Sequence, residues 1–223
     1  MTFTVLVVCS ANVCRSPMTV AVLGQRFLGT ALSEDVEIAC SGEHAWTDLA
    51  ACGEVAGNDV LMSSALGWLG RHEPTQLSQD AIRRADMILA ADRAVRSSIV
   101  RLDPRAHDHT FTLREAAALA EHVVETKPIP NHPTTKDSLR WLTGEMNDSR
   151  GLIAMPSTHR YRRTFLPWPK IAVHDQDVPD AHGDAPAPHR VVRELILDAT
   201  DALTRAFLRS AHWEPRTNHH PTV

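Results

Sequence analysis

Apolar and β-branched positions run unbroken from Phe3 to Val8 and stop at Cys9. A strand reads this way when neither side of its pleat meets water, so the run predicts a buried strand of a parallel sheet. A polar turn, Ser10-Ala11-Asn12, follows. Pro17 suits the first position of a helix, where its missing N–H would be unpaired anyway, and the helix is expected to reach about Leu28. Val36 to Cys40 and Ala85 to Ala91 read as a second and a third strand, each after a segment of helical periodicity. Thr110 to Leu113 reads as a short fourth strand and Arg114 to Val124 as an alanine-rich helix. The alternation implies an α/β fold: three layers, doubly wound, on a four-stranded parallel sheet.

The pattern breaks after Thr126. Pro128, Pro130, Pro133, Pro156, Pro167 and Pro169 punctuate a weakly periodic stretch that reads as an insertion at about 126–169. Regular structure resumes at Ile171 to Val173, passes an aspartate-rich loop from Asp175 to Asp184, and ends in a helix from about His189 to Arg209. Val192, Leu195, Ile196, Ala199, Leu203 and Phe207 share one face of that helix. The expected organisation is a single domain over 1–210 with a flexible tail over 211–223.

Charge separates the insertion further. Lys127 to Lys170 holds eight basic and three acidic residues in a chain of formal net charge −4. That overall balance gives no footprint for nucleic acid. All four cysteines, Cys9, Cys14, Cys40 and Cys52, fall in the first quarter and cannot staple the rest as a secreted framework would. With no spanning segment or signal peptide in view, a cytoplasmic protein with reduced thiols is expected. The thirteen histidines show no closed metal-site spacing, so no metal and no other cofactor is implied.

The chemistry concentrates in Cys9-Ser10-Ala11-Asn12-Val13-Cys14-Arg15-Ser16-Pro17-Met18. A turn from a strand end back to a helix start points successive backbone N–H groups, with the positive end of the helix dipole, into one concavity. That concavity is a phosphate-binding loop over Ser10, Ala11, Asn12, Val13, Cys14 and Arg15. The same field favours a thiolate and makes Cys9 the expected nucleophile. Arg15 supplies a planar fork for two phosphoryl oxygens, and Ser16 a hydroxyl for the departing Cys9 thiolate. The leaving oxygen then needs an acid, and Asp175, Asp177, Asp180 and Asp184 compete.

The loop resembles that of the low-molecular-weight protein tyrosine phosphatases: a cysteine, five residues, then Arg-Ser-Pro, with Ala11 where glycine is common. The resemblance implies a phosphomonoester hydrolase working through a phosphocysteine. Asp177-Val178-Pro179-Asp180-Ala181-His182-Gly183 resembles the family's acid loop, which makes Asp180 the acid and Asp177 the fallback. Ala181 replaces a proline there, which frees the loop, and His182 replaces an aromatic. Trp46 and His182 then border the substrate slot. His72 and Asn12 buttress the loop, with Cys40 in place of a third partner, serine. Asp92 matches a structural strand-end position, and the family also implies a reversible Cys9–Cys14 disulfide.

Expected partners are a phosphorylated protein or a small phosphate ester, with phosphotyrosine the first choice. Because the insertion directly precedes the acid loop, Arg160, Arg162 and Arg163 are expected to attract anionic substrates. Two other functions fit the same fold: an arsenate reductase, which would lack relay cysteines beyond Cys52, and a non-catalytic phosphate-binding module.

Overall fold

The computed structural model describes residues 1–55, 67–153, 160–161, 171–172, 175–182 and 186–212. Four parallel strands, β1 (Phe3–Cys9), β2 (Val36–Gly42), β3 (Met87–Ala90) and β4 (Thr110–Thr112), lie in the order β2-β1-β3-β4. β1 pairs β2 from Phe3↔Val36 to Cys9↔Gly42, and β3 from Val5↔Met87 to Val8↔Ala90. The chain leaves β1 for one neighbour and later returns to the other. Cys9 therefore sits at the carboxyl end of a central strand, at the switch point where doubly wound sheets hold ligands.

Alternating side chains of the strands feed two cores. Phe3, Val5, Val7, Met87, Leu89 and Phe111 face helices α1 (Arg15–Phe27), α5 (Leu113–Thr126), α6 (Thr135–Asp148) and α7 (His189–Ser210). Leu6, Val8, Ile88 and Ala90 face α3 (Gln79–Arg84) and α4 (Arg93–Leu102) on the other side. A short helix α2 (Leu32–Asp35) leads into β2. The expected three layers are present.

The element ends differ from expectation for local reasons. Helix α1 begins at Arg15, so Pro17 occupies its third position, where the N–H still has no intrahelical acceptor. Met18 N donates to Cys14 O as the first helical bond. Helix α5 begins at Leu113 because Thr112 and Glu115 form a reciprocal capping box.

The stretch 126–169 is more regular than its prolines imply. Within it α6 runs for 14 residues from an N-cap at Thr134, whose hydroxyl accepts from Asp137 N. Leu139, Leu142 and Met146 are fully buried against the main core, so this part of the stretch is structural. A two-residue antiparallel pair, β5 (Arg160–Tyr161) with β6 (Ile171–Ala172), follows. Arg162 and Arg163 lie outside the described residues, as does 213–223. Among the described residues no helix is long and apolar enough to cross a membrane.

Asp86, at the entrance to β3, ties α6 to the sheet. Its carboxylate accepts from Thr4 N at 3.0 Å, Lys136 Nζ at 2.8 Å and the Arg140 guanidinium at 2.7 and 2.9 Å. Burial alone would raise its pKa, but Lys136, Thr4 and Arg140 together hold it below the ordinary aspartate value. A depressed carboxylate stabilises the fold above its unfolded pKa, and the gain is lost as pH falls through the lower folded value. Asp86→Asn should cost roughly 1–3 kcal/mol at pH 7. In urea titrations the gap from wild type should narrow as pH falls below the ordinary aspartate value and close once the folded carboxylate is protonated; a gap that persists in strong acid would contradict the charge-based tie.

Candidate active site

The loop after β1 is shaped by where its carbonyls go. Glu43 N donates to Cys9 O at 2.9 Å, His44 N to Ser10 O at 2.8 Å, Trp46 N to Ala11 O at 3.0 Å and Cys52 N to Val13 O at 2.7 Å. Asn12 O contacts His72 Nε2 at 2.9 Å. A strap over residues 43–52, together with His72, thus takes the carbonyls on the outside, so that they do not compete for the inner side of the loop. Asn12 N already donates to Cys9 Sγ at 3.3 Å. Gly42 sits beneath: a Cβ there would lie 2.9 Å from backbone atoms of Ser10, Ala11 and Asn12, which cannot move aside without breaking the loop.

Asn12 carries the positive φ, 56°, and Ala11 is not among the described residues that have one. Alanine therefore needs no glycine-like freedom at position 11, and asparagine tolerates the left-handed region at 12. The buried Asn12 side chain donates from Nδ2 to Ser16 Oγ at 2.9 Å and accepts at Oδ1 from Thr75 N at 2.8 Å. Ser16 Oγ in turn lies 3.0 Å from Cys9 Sγ. His72, stacked on Trp68, and Asn12 thus meet as the resemblance implies. Cys40 completes the surroundings in place of serine; burial pushes its thiol up to about 12, opposed by a smaller effect of its hydrogen bond with Asn12.

Arg15 is 4% exposed and held from two sides. Its Nη1 donates to Asp92 Oδ2 at 2.7 Å and to Val178 O at 3.2 Å, and its Nη2 to Asp180 Oδ2 at 2.7 Å. Burial works against its charge, but Cys9, Asp180 and Asp92 outweigh it and keep its pKa above the ordinary arginine value. Asp92 also caps α4, accepting Val95 N at 2.8 Å. Asp92 thus holds Arg15 and the start of α4 at once, more than the strand-end position expected of it.

Of the competing aspartates, Asp180 is the one at Arg15. Asp177 turns to Arg93, accepting its backbone N at 3.0 Å and its guanidinium at 3.1 Å. Asp184 lies outside the described residues. Ala181 does not leave the acid loop loose. It is buried, Ala187 N donates to Asp180 O at 2.8 Å, His182 N to Asp180 Oδ1 at 2.9 Å, and Val178 N to Ala91 O at 2.8 Å.

Trp46 is 49% exposed beside the loop, which rules out core packing as its role. His182, expected as a second wall of the slot, instead turns its ring onto His189, with Nε2 atoms 3.3 Å apart. Cys14 and Cys52 lie at the same place: all four donor atoms fall within 4.8 Å of one another. Nothing in sequence spacing joins positions 14, 52, 182 and 189, and the grouping is visible only once the chain is folded. Cys14 is hydrogen-bonded to Cys52, and that bond, with burial, pushes its thiol well above the ordinary range.

Residues 4–129 match the family model described as low molecular weight phosphotyrosine protein phosphatase. A protein-arginine-phosphatase of Geobacillus stearothermophilus is 31% identical over 115 residues, 52% of this chain and 72% of the relative. A probable low molecular weight protein-tyrosine-phosphatase of Ralstonia nicotianae is 34% identical over 112 residues, 50% and 71%. A solved protein tyrosine phosphatase from Entamoeba histolytica shares the fold at TM-score 0.54 and 14% identity, over 91% of this chain and 94% of that one. The arsenate reductase alternative finds no favour in these names. The family match stops before the acid loop but takes in β1 to β4, the strap and every residue of the cradle, and the chain belongs to the low molecular weight phosphotyrosine protein phosphatase family.

Proposed function

We propose that the chain hydrolyses phosphomonoesters, phosphotyrosine side chains first among them, through a phosphocysteine on Cys9. The observation that carries this reading is the loop whose carbonyls are all satisfied outside it, leaving Cys9 and the Asn12 amide in one concavity with Arg15. Preorganised donors of this kind stabilise charge on a transferring phosphoryl group without reorganising during the reaction.

In the first step Cys9 Sγ attacks phosphorus, the S–P bond forms, and the bond from phosphorus to the leaving oxygen breaks. That oxygen takes a proton from the Asp180 carboxyl, which an incoming phosphoryl group releases by competing for Arg15 Nη2. In the second step water attacks phosphorus, gives its proton back to Asp180, and the S–P bond breaks. Ser16, 3.0 Å from the sulfur, stabilises the departing thiolate with its hydroxyl. Trp46 borders the entrance and supplies an aromatic wall for a phenol ring.

Kinetics on p-nitrophenyl phosphate under reducing conditions test the assignment. Cys9→Ser should abolish turnover, and Asp180→Asn should lower kcat at least about tenfold, equivalent to about 1.4 kcal/mol of barrier. Wild type that binds vanadate but does not turn over would instead mark a phosphate-binding module. The relatives carry two substrate names, so phosphotyrosine and phosphoarginine peptides should be run side by side. Faster release from phosphoarginine would overturn the substrate order and make the leaving atom nitrogen rather than oxygen, while the attack by Cys9 would stand.

Asp92→Asn separates positioning from folding. Asparagine caps a helix as well as aspartate, so the melting temperature should change little. Loss of the charged partner of Arg15 should lower kcat/KM by roughly tenfold or more. Unchanged kcat/KM would remove Asp92 from the mechanism.

A further inference from the structure

Behind the phosphate loop four soft or borderline donors converge. Cys14 is the N-cap of α1, inside the loop and 5% exposed. Cys52 belongs to the strap and lies 3.4 Å from His189 Nε2. His189 opens α7, and His182 ends the described part of the acid loop. These donor atoms come from four separate segments, yet all lie within 4.8 Å of one another.

Two of their six separations match tetrahedral edges, and all six fall within 4.8 Å. With bonds of about 2.3 Å to sulfur and about 2.05 Å to imidazole nitrogen, tetrahedral edges are about 3.3 Å between two nitrogens and about 3.6 Å from nitrogen to sulfur. The observed separations are 3.3 Å for His182 Nε2 to His189 Nε2 and 3.4 Å for Cys52 Sγ to His189 Nε2. Both imidazoles present the same nitrogen to the cluster. His189 Nδ1 lies 3.4 Å from Glu54 Oε2, a carboxylate within reach to orient the ring with Nε2 toward the cluster.

We propose that Cys14, Cys52, His182 and His189 form a tetrahedral zinc site that pins the acid loop to the phosphate loop. Two thiolates and two imidazoles in this geometry select zinc over the harder divalent ions. Binding displaces the thiol protons to solvent and involves no redox step. The site would set the position of Asp180: His182 N donates to its Oδ1, and its O accepts Ala187 N two residues before His189. Cys52 N is bonded to Val13 O, so the same ion would brace the strap. The proposal does not depend on turnover at Cys9.

The test uses the full chain in a Cys9→Ser background, so that the nucleophile cannot supply a thiolate. After reduction and chelation, cobalt(II) is titrated while the thiolate-to-cobalt charge-transfer absorption is followed, and zinc(II) is then added as competitor. One cobalt per chain with that band, displaced by one equivalent of zinc, is expected. Cys52→Ser and His189→Ala should each lose the band and weaken zinc binding by at least ~100-fold. Zinc should also slow hydrogen exchange of the 176–182 amides, and His189→Ala should abolish that effect. A parent chain without the thiolate band, or a Cys52→Ser chain that keeps it, overturns the proposal. So does a reduced chain that takes up metal without slowing exchange at 176–182. If either variant misfolds by circular dichroism, the parent titration and exchange decide alone.

Discussion

The site depends on the outward hydrogen bonding of five consecutive carbonyls, Cys9 to Val13. A loop this tight holds more backbone dipoles than it can satisfy internally, and an unsatisfied buried carbonyl is costly. Strap residues Glu43, His44, Trp46 and Cys52 and the ring of His72 meet that need from outside. The amide of Asn12 is left pointing at the Cys9 sulfur. Gly42 makes the close approach possible and Asn12 supplies the single left-handed turn. Chemistry at Cys9 is a consequence of backbone accounting at residues around it.

Arg15 extends this order to the far end of the chain. Rising from the first helical turn, it joins Asp92 at the end of β3 to Val178 and Asp180 on a loop more than 160 residues later. An arginine can do this because its fork offers two parallel donors in a fixed plane. The burial that would otherwise penalise its charge is offset by carboxylates on both sides. The acid loop needs no proline to hold its place, since Ala187, just ahead of α7, and Ala91 make backbone bonds to it.

Much of this was legible in the sequence. Phe3 to Val8 read as a doubly covered strand, and a cysteine at its end with an arginine six positions on, before a helix, told of an anion cradle. Asn12, His72 and Asp180 were found through resemblance, and the structure brings each to the loop. Helix α6 was hidden by the prolines on either side, although Thr134 with Asp137 and the spacing of Leu139, Leu142 and Met146 already spelled a capped amphipathic turn. That helix is therefore part of the core. The grouping of Cys14, Cys52, His182 and His189 could not be read, because metal spacing motifs are local and these four positions meet only through tertiary packing.

The central claim is that the phosphoryl group passes through Cys9. Rapid acid quench during turnover of an aryl phosphate, followed by peptide mass mapping, tests it directly. The account predicts phosphate on the peptide containing Cys9, accumulating with p-nitrophenyl phosphate when Asp180 is replaced by alanine, because p-nitrophenolate departs without an acid whereas water is then activated slowly. Phosphate on a histidine, or turnover with no phosphorylated cysteine at any quench time, would contradict it.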